Sequence, residues 1–117
     1  MATSEKSAAA ILLWNYHDDA KTAPAAPVTV TVKGLPRTAR QVRLTQFRID
    51  DSHSNAYTVW KAMGSPQNPT PAQFAELKLK DGLELLETPR LLAAANGTVE
   101  VSTEMPRHAV ALLQLDW

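Results

Sequence analysis

Apolar and polar positions alternate with a period of two over much of this chain. "VTVTVKG" (residues 28–34) is the cleanest case. Val28, Val30 and Val32 share one face, and Thr29, Thr31 and Lys33 share the other. That is the pattern of a half-buried strand. "AAAILLWNYH" (residues 8–17) is a denser apolar run and reads as a buried strand. "QVRLTQFRI" (residues 41–49) is a third strand whose apolar side changes midway: Val42 and Leu44 lie on one face, Phe47 and Ile49 on the other. A bulge near Thr45 and Gln46 is expected to restore the register. "LELLETPRLLAA" (residues 83–94) reads as an extended run kinked at Pro89. Asn96 and Gly97 predict a tight hairpin turn before a strand carrying Val99 and Val101. The last strand, "RHAVALLQLDW", follows Pro106.

Between the third strand and residue 83 the period changes. "SNAYTVWKAM" (residues 54–63) predicts a short helix with Ser54 as N-cap and Tyr57, Trp60 and Met63 three apart on one face. "TPAQFAELKLKDG" (residues 70–82) is the clearest helix. Thr70 caps it, Pro71 takes the first helical position, Gln73 completes a capping box and Gly82 ends it. Phe74 and Leu77 are expected to face inward. The sum is about six strands with a helical insertion at about residues 54–82. Residues 1–7 are polar and expected to be disordered. Residues 8–117 then form one mainly β domain, an antiparallel β-sandwich of immunoglobulin-like character. No βαβ alternation supports a parallel sheet.

Composition narrows the function classes. With 117 residues the chain suits a single domain. Twelve basic residues balance twelve acidic ones, which argues against a nucleic-acid binder. No polybasic anchor is present, and the longest apolar run, "AAAILLW", is too short to span a bilayer. The leading "MATSEKS" lacks signal-peptide character, so a cytoplasmic location is expected. There is no cysteine, hence neither disulfide nor thiolate chemistry.

The candidate chemistry lies at strand ends. His17, Asp18 and Asp19 follow the first strand, and Asp50, Asp51 and His53 follow the third. If the first three strands form an up-down-up meander, both clusters meet at one pole. Their ligand types suit a divalent ion, but the spacing matches no metal motif, and turn formation explains them better. No cofactor is expected. Ser52 and Ser54 flank His53 without making a triad. Trp14, Tyr16, Tyr57, Trp60 and Trp117 could stack on sugars. The preferred reading is that Trp14 and Trp117 end or fill the core while Tyr57 and Trp60 pin the insertion to the sandwich or to a partner. Asn96 also begins an "NGT" glycosylation pattern, but the turn signal is stronger.

"LLWNYHDD", "VTVTVKGLP", "VRLTQFRIDDSHSNAYTVWKAMGSPQNPTPAQFAEL" and "LLQLDW" together resemble the C-terminal β-sandwich of glycoside hydrolase family 39, which includes bacterial β-xylosidases and α-L-iduronidase. The likeness runs from about Ala8 to Trp117. Its most specific part is R-I-D-D-x-H-S-N-A-Y-x-x-W-x-x-M-G-x-P. The resemblance implies an accessory domain that packs against a (β/α)8 barrel holding both catalytic Glu residues of a retaining enzyme. No residue here corresponds to either Glu, so the chain is expected to be no enzyme on its own, although it derives from a xylan-degrading type. Partners implied are that barrel, or a second copy meeting it through an open sheet edge or through the surface that would face the barrel. The alternative is a stand-alone carbohydrate-binding or protein-interaction module, holding xylo-oligosaccharide with Tyr57, Trp60 and the His/Asp pole.

Overall fold

Alternating side chains sort the strands into two antiparallel sheets. The computed structural model describes residues Met1–Trp117. The strands are β1 (Ala2–Ser4), β2 (Ala8–Trp14), β3 (Ala26–Lys33), β4 (Gln41–Ile49), β5 (Glu84–Leu85), β6 (Arg90–Ala93), β7 (Thr98–Met105) and β8 (Val110–Asp116). Helices α1 (Ala56–Ala62) and α2 (Pro71–Leu79) lie between β4 and β5. The larger sheet runs β1-β2-β8-β4, with β5 and β6 both bonded along the far side of β4. The smaller sheet is the pair β3-β7, in register from Ala26 opposite Met105 to Lys33 opposite Thr98.

The inner faces make the core. Ile11, Val42, Leu44, Leu113 and Leu115 of the larger sheet meet Val99 and Val101 of the smaller one, with Leu35 from the loop between β3 and β4. Burying each of these aliphatic side chains contributes about 1.5–3 kcal/mol. Met105, Ala109 and Ala111 form a second small cluster. Asn96 and Gly97 turn the chain as expected, both at positive φ (54° and 74°). The turn is closed by reciprocal Ala95 and Thr98 backbone bonds, and the strands then part. β6 joins β4 in one sheet while β7 joins β3 in the other, so this turn is a corner between sheets.

The structure corrects several sequence expectations. No bulge interrupts β4. It pairs with β8 without a break from Arg43 opposite Asp116 to Ile49 opposite Val110. The interior itself changes from apolar to polar, because Gln46 and Arg48 take the inward positions after Leu44. Gln46 donates to Thr103 Oγ1 (2.9 Å), which satisfies a buried amide. Residues 1–7 are not all loose: β1 pairs with β2, and the Met1 carbonyl accepts from the Leu12 amide (2.7 Å). The strand has no buried face, so hydrophobic patterning gave no sign of it. Trp14 does not fill the core but stands 61% exposed on the outer face. Phe74 does not face inward either. It is 58% exposed, because α2 packs chiefly on α1.

The helices therefore form an arm. The radius of gyration is 17.4 Å, against about 13 Å for a compact chain of this length. Neither helix has a buried residue. Thr70 and Gln73 do form the reciprocal capping box, and Asn55, not Ser54, caps α1 by accepting from the Thr58 amide.

Candidate docking face and the polar turn beside it

β4 leaves the sheet through a tightly bonded turn. Asp50 Oδ1 accepts from the Ser52 amide (2.8 Å), the His53 amide (2.8 Å) and His53 Nδ1 (2.8 Å). The Asp50 amide donates back to the His53 carbonyl (3.1 Å). Burial would raise the Asp50 pKa, but the bonds from the His53 ring, the Ser52 amide and the His53 amide outweigh it and hold the carboxyl below its ordinary value. Behind it lies Arg48, 2% exposed. It donates to the Glu104 carbonyl (2.9 Å) and Thr103 Oγ1 (3.2 Å) and faces Asp50 at 3.8 Å. Burial lowers its pKa and Asp50 partly offsets this. Ser54, at φ 52°, ties the arm down at both ends: its hydroxyl donates to the Arg48 carbonyl (2.8 Å) and accepts from the Glu84 amide (2.7 Å).

The other acidic cluster has separate partners. His17 donates to Asn15 Oδ1 (2.9 Å). Asp19 accepts from Arg107 (2.6 Å), and its carbonyl accepts from His108 Nε2 (2.9 Å). Asp18 and Asp51 are exposed. Both clusters do sit at one pole, though not through a meander, since β3 belongs to the other sheet. β2 and β4 run parallel on either side of β8, so Trp14 and Ile49 flank Val110, about 10 Å apart by strand spacing. The polar side chains do not converge: no group of three His, Cys, Asp or Glu is placed to hold a metal ion. In the arm, Tyr57 stacks on Trp60 with centroids 5.7 Å apart. Trp60 Nε1 donates to the Pro66 carbonyl (2.9 Å), so this pair shapes the arm internally.

The outer face of the larger sheet is the feature that sequence reasoning missed. Register places Leu12, Leu112, Phe47 and Leu85 in one row across four strands. Trp14, Val110 and Ile49 form the next row toward the pole. Trp14, Ile49 and Leu85 are exposed and the rest of these side chains half-buried. A sheet in water on one side normally turns polar residues to it. The signal was present in β4: Phe47 and Ile49 do not mark a slipped register but a second apolar face.

The sequence profile of glycosyl hydrolases family 39 matches residues 2–99. The chain belongs to glycosyl hydrolase family 39. No curated protein matches the sequence. Among solved structures, the GH39 enzyme from Xanthomonas axonopodis pv. citri superposes with a TM-score of 0.81 at 22% identity, over 98% of this chain and 25% of that one. A monomeric beta-xylosidase from Caulobacter crescentus CB15 gives 0.74 at 22% identity, over 98% and 25%. A bacterial orthologue of human α-L-iduronidase gives 0.74 at 24% identity, over 94% and 20%. At these identities the likeness shows the fold. This family 39 chain spans about a quarter or less of the length of those relatives.

Proposed function

We propose that this chain is a non-catalytic accessory β-sandwich of a β-xylosidase-like, xylan-degrading family 39 enzyme, and that its outer sheet face docks on a (β/α)8 catalytic barrel. The uncovered apolar rows carry this reading. A contiguous apolar sheet face is a site for protein contact, and the solved relatives are about four times longer than this chain over the same fold. In the two strand-end clusters Asp19 is paired with Arg107 and Asp50 with His53. A retaining glycosidase requires two free carboxyl groups about 5–5.5 Å apart.

The test has two arms. Pure chain is expected to show no turnover of a nitrophenyl xyloside; turnover abolished by Asp50→Asn or His53→Ala overturns the non-catalytic reading. The chain is expected to bind the separately produced barrel of the Caulobacter β-xylosidase, and Phe47→Asp to lose that binding while its far-UV circular dichroism stays unchanged. Equal binding by Phe47→Asp removes the docking face. A second association is favoured by β3, whose outer edge has no partner in a two-stranded sheet. A second copy can pair there antiparallel.

A further inference from the structure

We propose that the groove beside β2 and the β7–β8 turn is a binding site for a neutral pyranose oligosaccharide. It is lined by Trp14, Asn15, Tyr16, His108, Ala109 and Val110, with a volume of about 460 Å³, within the usual range for small-ligand sites. Trp14 and Tyr16 are 61% and 74% exposed. Trp14 ends β2 and Tyr16 follows two residues later, and both border the groove. Rings that large, left in water on one side of a groove, are flat apolar platforms with a polar tip on Tyr16.

The opposite wall is held in a strained shape. His108 has φ 61°, which for a residue with a Cβ is sparsely populated and is retained where surrounding structure fixes it, often at functional sites. Its amide donates to the Asn15 carbonyl (2.7 Å) and its Nε2 to the Asp19 carbonyl (2.9 Å). The imidazole thereby stands edge-on to Tyr16 (6.5 Å, 85°) and to His17 (6.1 Å, 81°). Nδ1 is left to meet a ligand. Asp19, gripped by Arg107 at 2.6 Å, keeps the turn in place.

These groups select a chemistry. A pyranose chair offers a face of C–H bonds for an aromatic plane and a rim of hydroxyls for Nδ1 and the Tyr16 hydroxyl. A nucleotide is disfavoured, because the adjoining cation, Arg107, is already paired with Asp19 and the chain carries no net charge. The choice of xylose units as probe rests on the family 39 reading; the site itself rests on the groove.

The probe is xylotriose, followed by intrinsic Trp fluorescence and by calorimetry. The wild-type chain is expected to show saturable binding in the millimolar range. Tyr16→Ala, followed by fluorescence, and Trp14→Ala, followed by calorimetry, are each expected to weaken it by at least about tenfold, or about 1.4 kcal/mol. Unchanged circular dichroism shows that the variants fold. Absence of saturation at tens of millimolar, or full affinity in both variants, overturns the proposal. Trp14 and Val110 belong to both the groove and the docking rows, so sugar binding is measured on the free chain; Tyr16 lies outside the rows, and Tyr16→Ala is expected to keep barrel docking. Sugar binding without docking therefore sinks the accessory reading alone, and docking without sugar binding sinks this one alone.

Discussion

Arg48→Ala tests whether the polar end of the core stabilises the domain. Arg48 is 2% exposed, opposite the small Ala111 on β8. Its truncation removes donors from the Glu104 carbonyl (2.9 Å) and Thr103 Oγ1 (3.2 Å) and takes the cation from Asp50 (3.8 Å). Each buried group left without a partner costs about 1–3 kcal/mol. Removing one member of a buried ion pair costs about 3–5 kcal/mol. Some of this is offset, because Arg48 Nε has no partner and its desolvated charge is released. We expect a loss of about 3–4 kcal/mol for Arg48→Ala. Arg48→Met keeps most of the stem volume and removes the charge, and should recover about 1–2 kcal/mol of that loss. Urea unfolding with an unchanged m-value measures both. A loss below about 1 kcal/mol for Arg48→Ala refutes the reasoning. Equal losses for both variants would assign the effect to hydrogen bonds alone and refute the packing contribution.

Three further outcomes are expected. Because the folded Asp50 carboxyl titrates below its ordinary value, its contribution is fully present above about pH 4 and is lost as pH falls through that value toward the folded pKa. Asp50→Asn should flatten the acid limb of a stability–pH curve; an unchanged limb assigns acid unfolding to other groups. Gly97→Ala should destabilise by about 1–3 kcal/mol, since a Cβ there would meet the Leu35 carbonyl oxygen at 2.7 Å with φ at 74°; a neutral change in thermal midpoint contradicts the close approach. Pairing of two β3 edges should give a concentration-dependent dimer in sedimentation; a strict monomer at millimolar concentration removes it.

Much of the fold was legible because it rests on local rules. The alternation of Val28, Val30 and Val32 placed β3, and Thr70, Pro71 and Gln73 placed the start of α2. What escaped depended on pairing across the chain. β1 is fully exposed, so it carries no hydrophobic signal and exists through its bonds to β2. The inward turn of Gln46 and Arg48 needs Thr103 and Glu104, more than fifty residues away. Without those partners, Phe47 and Ile49 look like the inner face. The same blindness hid the outer apolar face, whose rows exist only after β2, β8, β4 and β5 are set in register. For the polar pole, sequence gave the right end of the sheet but not the partners. Arg107 and His108 lie about ninety residues from Asp19, and they take it away from Asp50 and His53.

The arm is tied to the apolar rows at its returning end. The arm leaves β4 at Asp50 and returns at Glu84, both held by Ser54 and the Asp50 turn. Its returning residue, Leu85, pairs with Phe47 and so completes the row that begins at Leu12. The arm adds Tyr57, Phe74, Leu79 and Leu83 to the exposed apolar residues and contributes none to the core. Apolar surface left in water by a segment outside the core marks a place for contact with another surface. Its rigid attachment at both ends, through buried Arg48 and a thrice-bonded Asp50, then makes physical sense as a way to hold a contact surface at a fixed angle to the sheet. Under the proposed docking, the buried polar network, the exposed rows and the elongated shape share one cause.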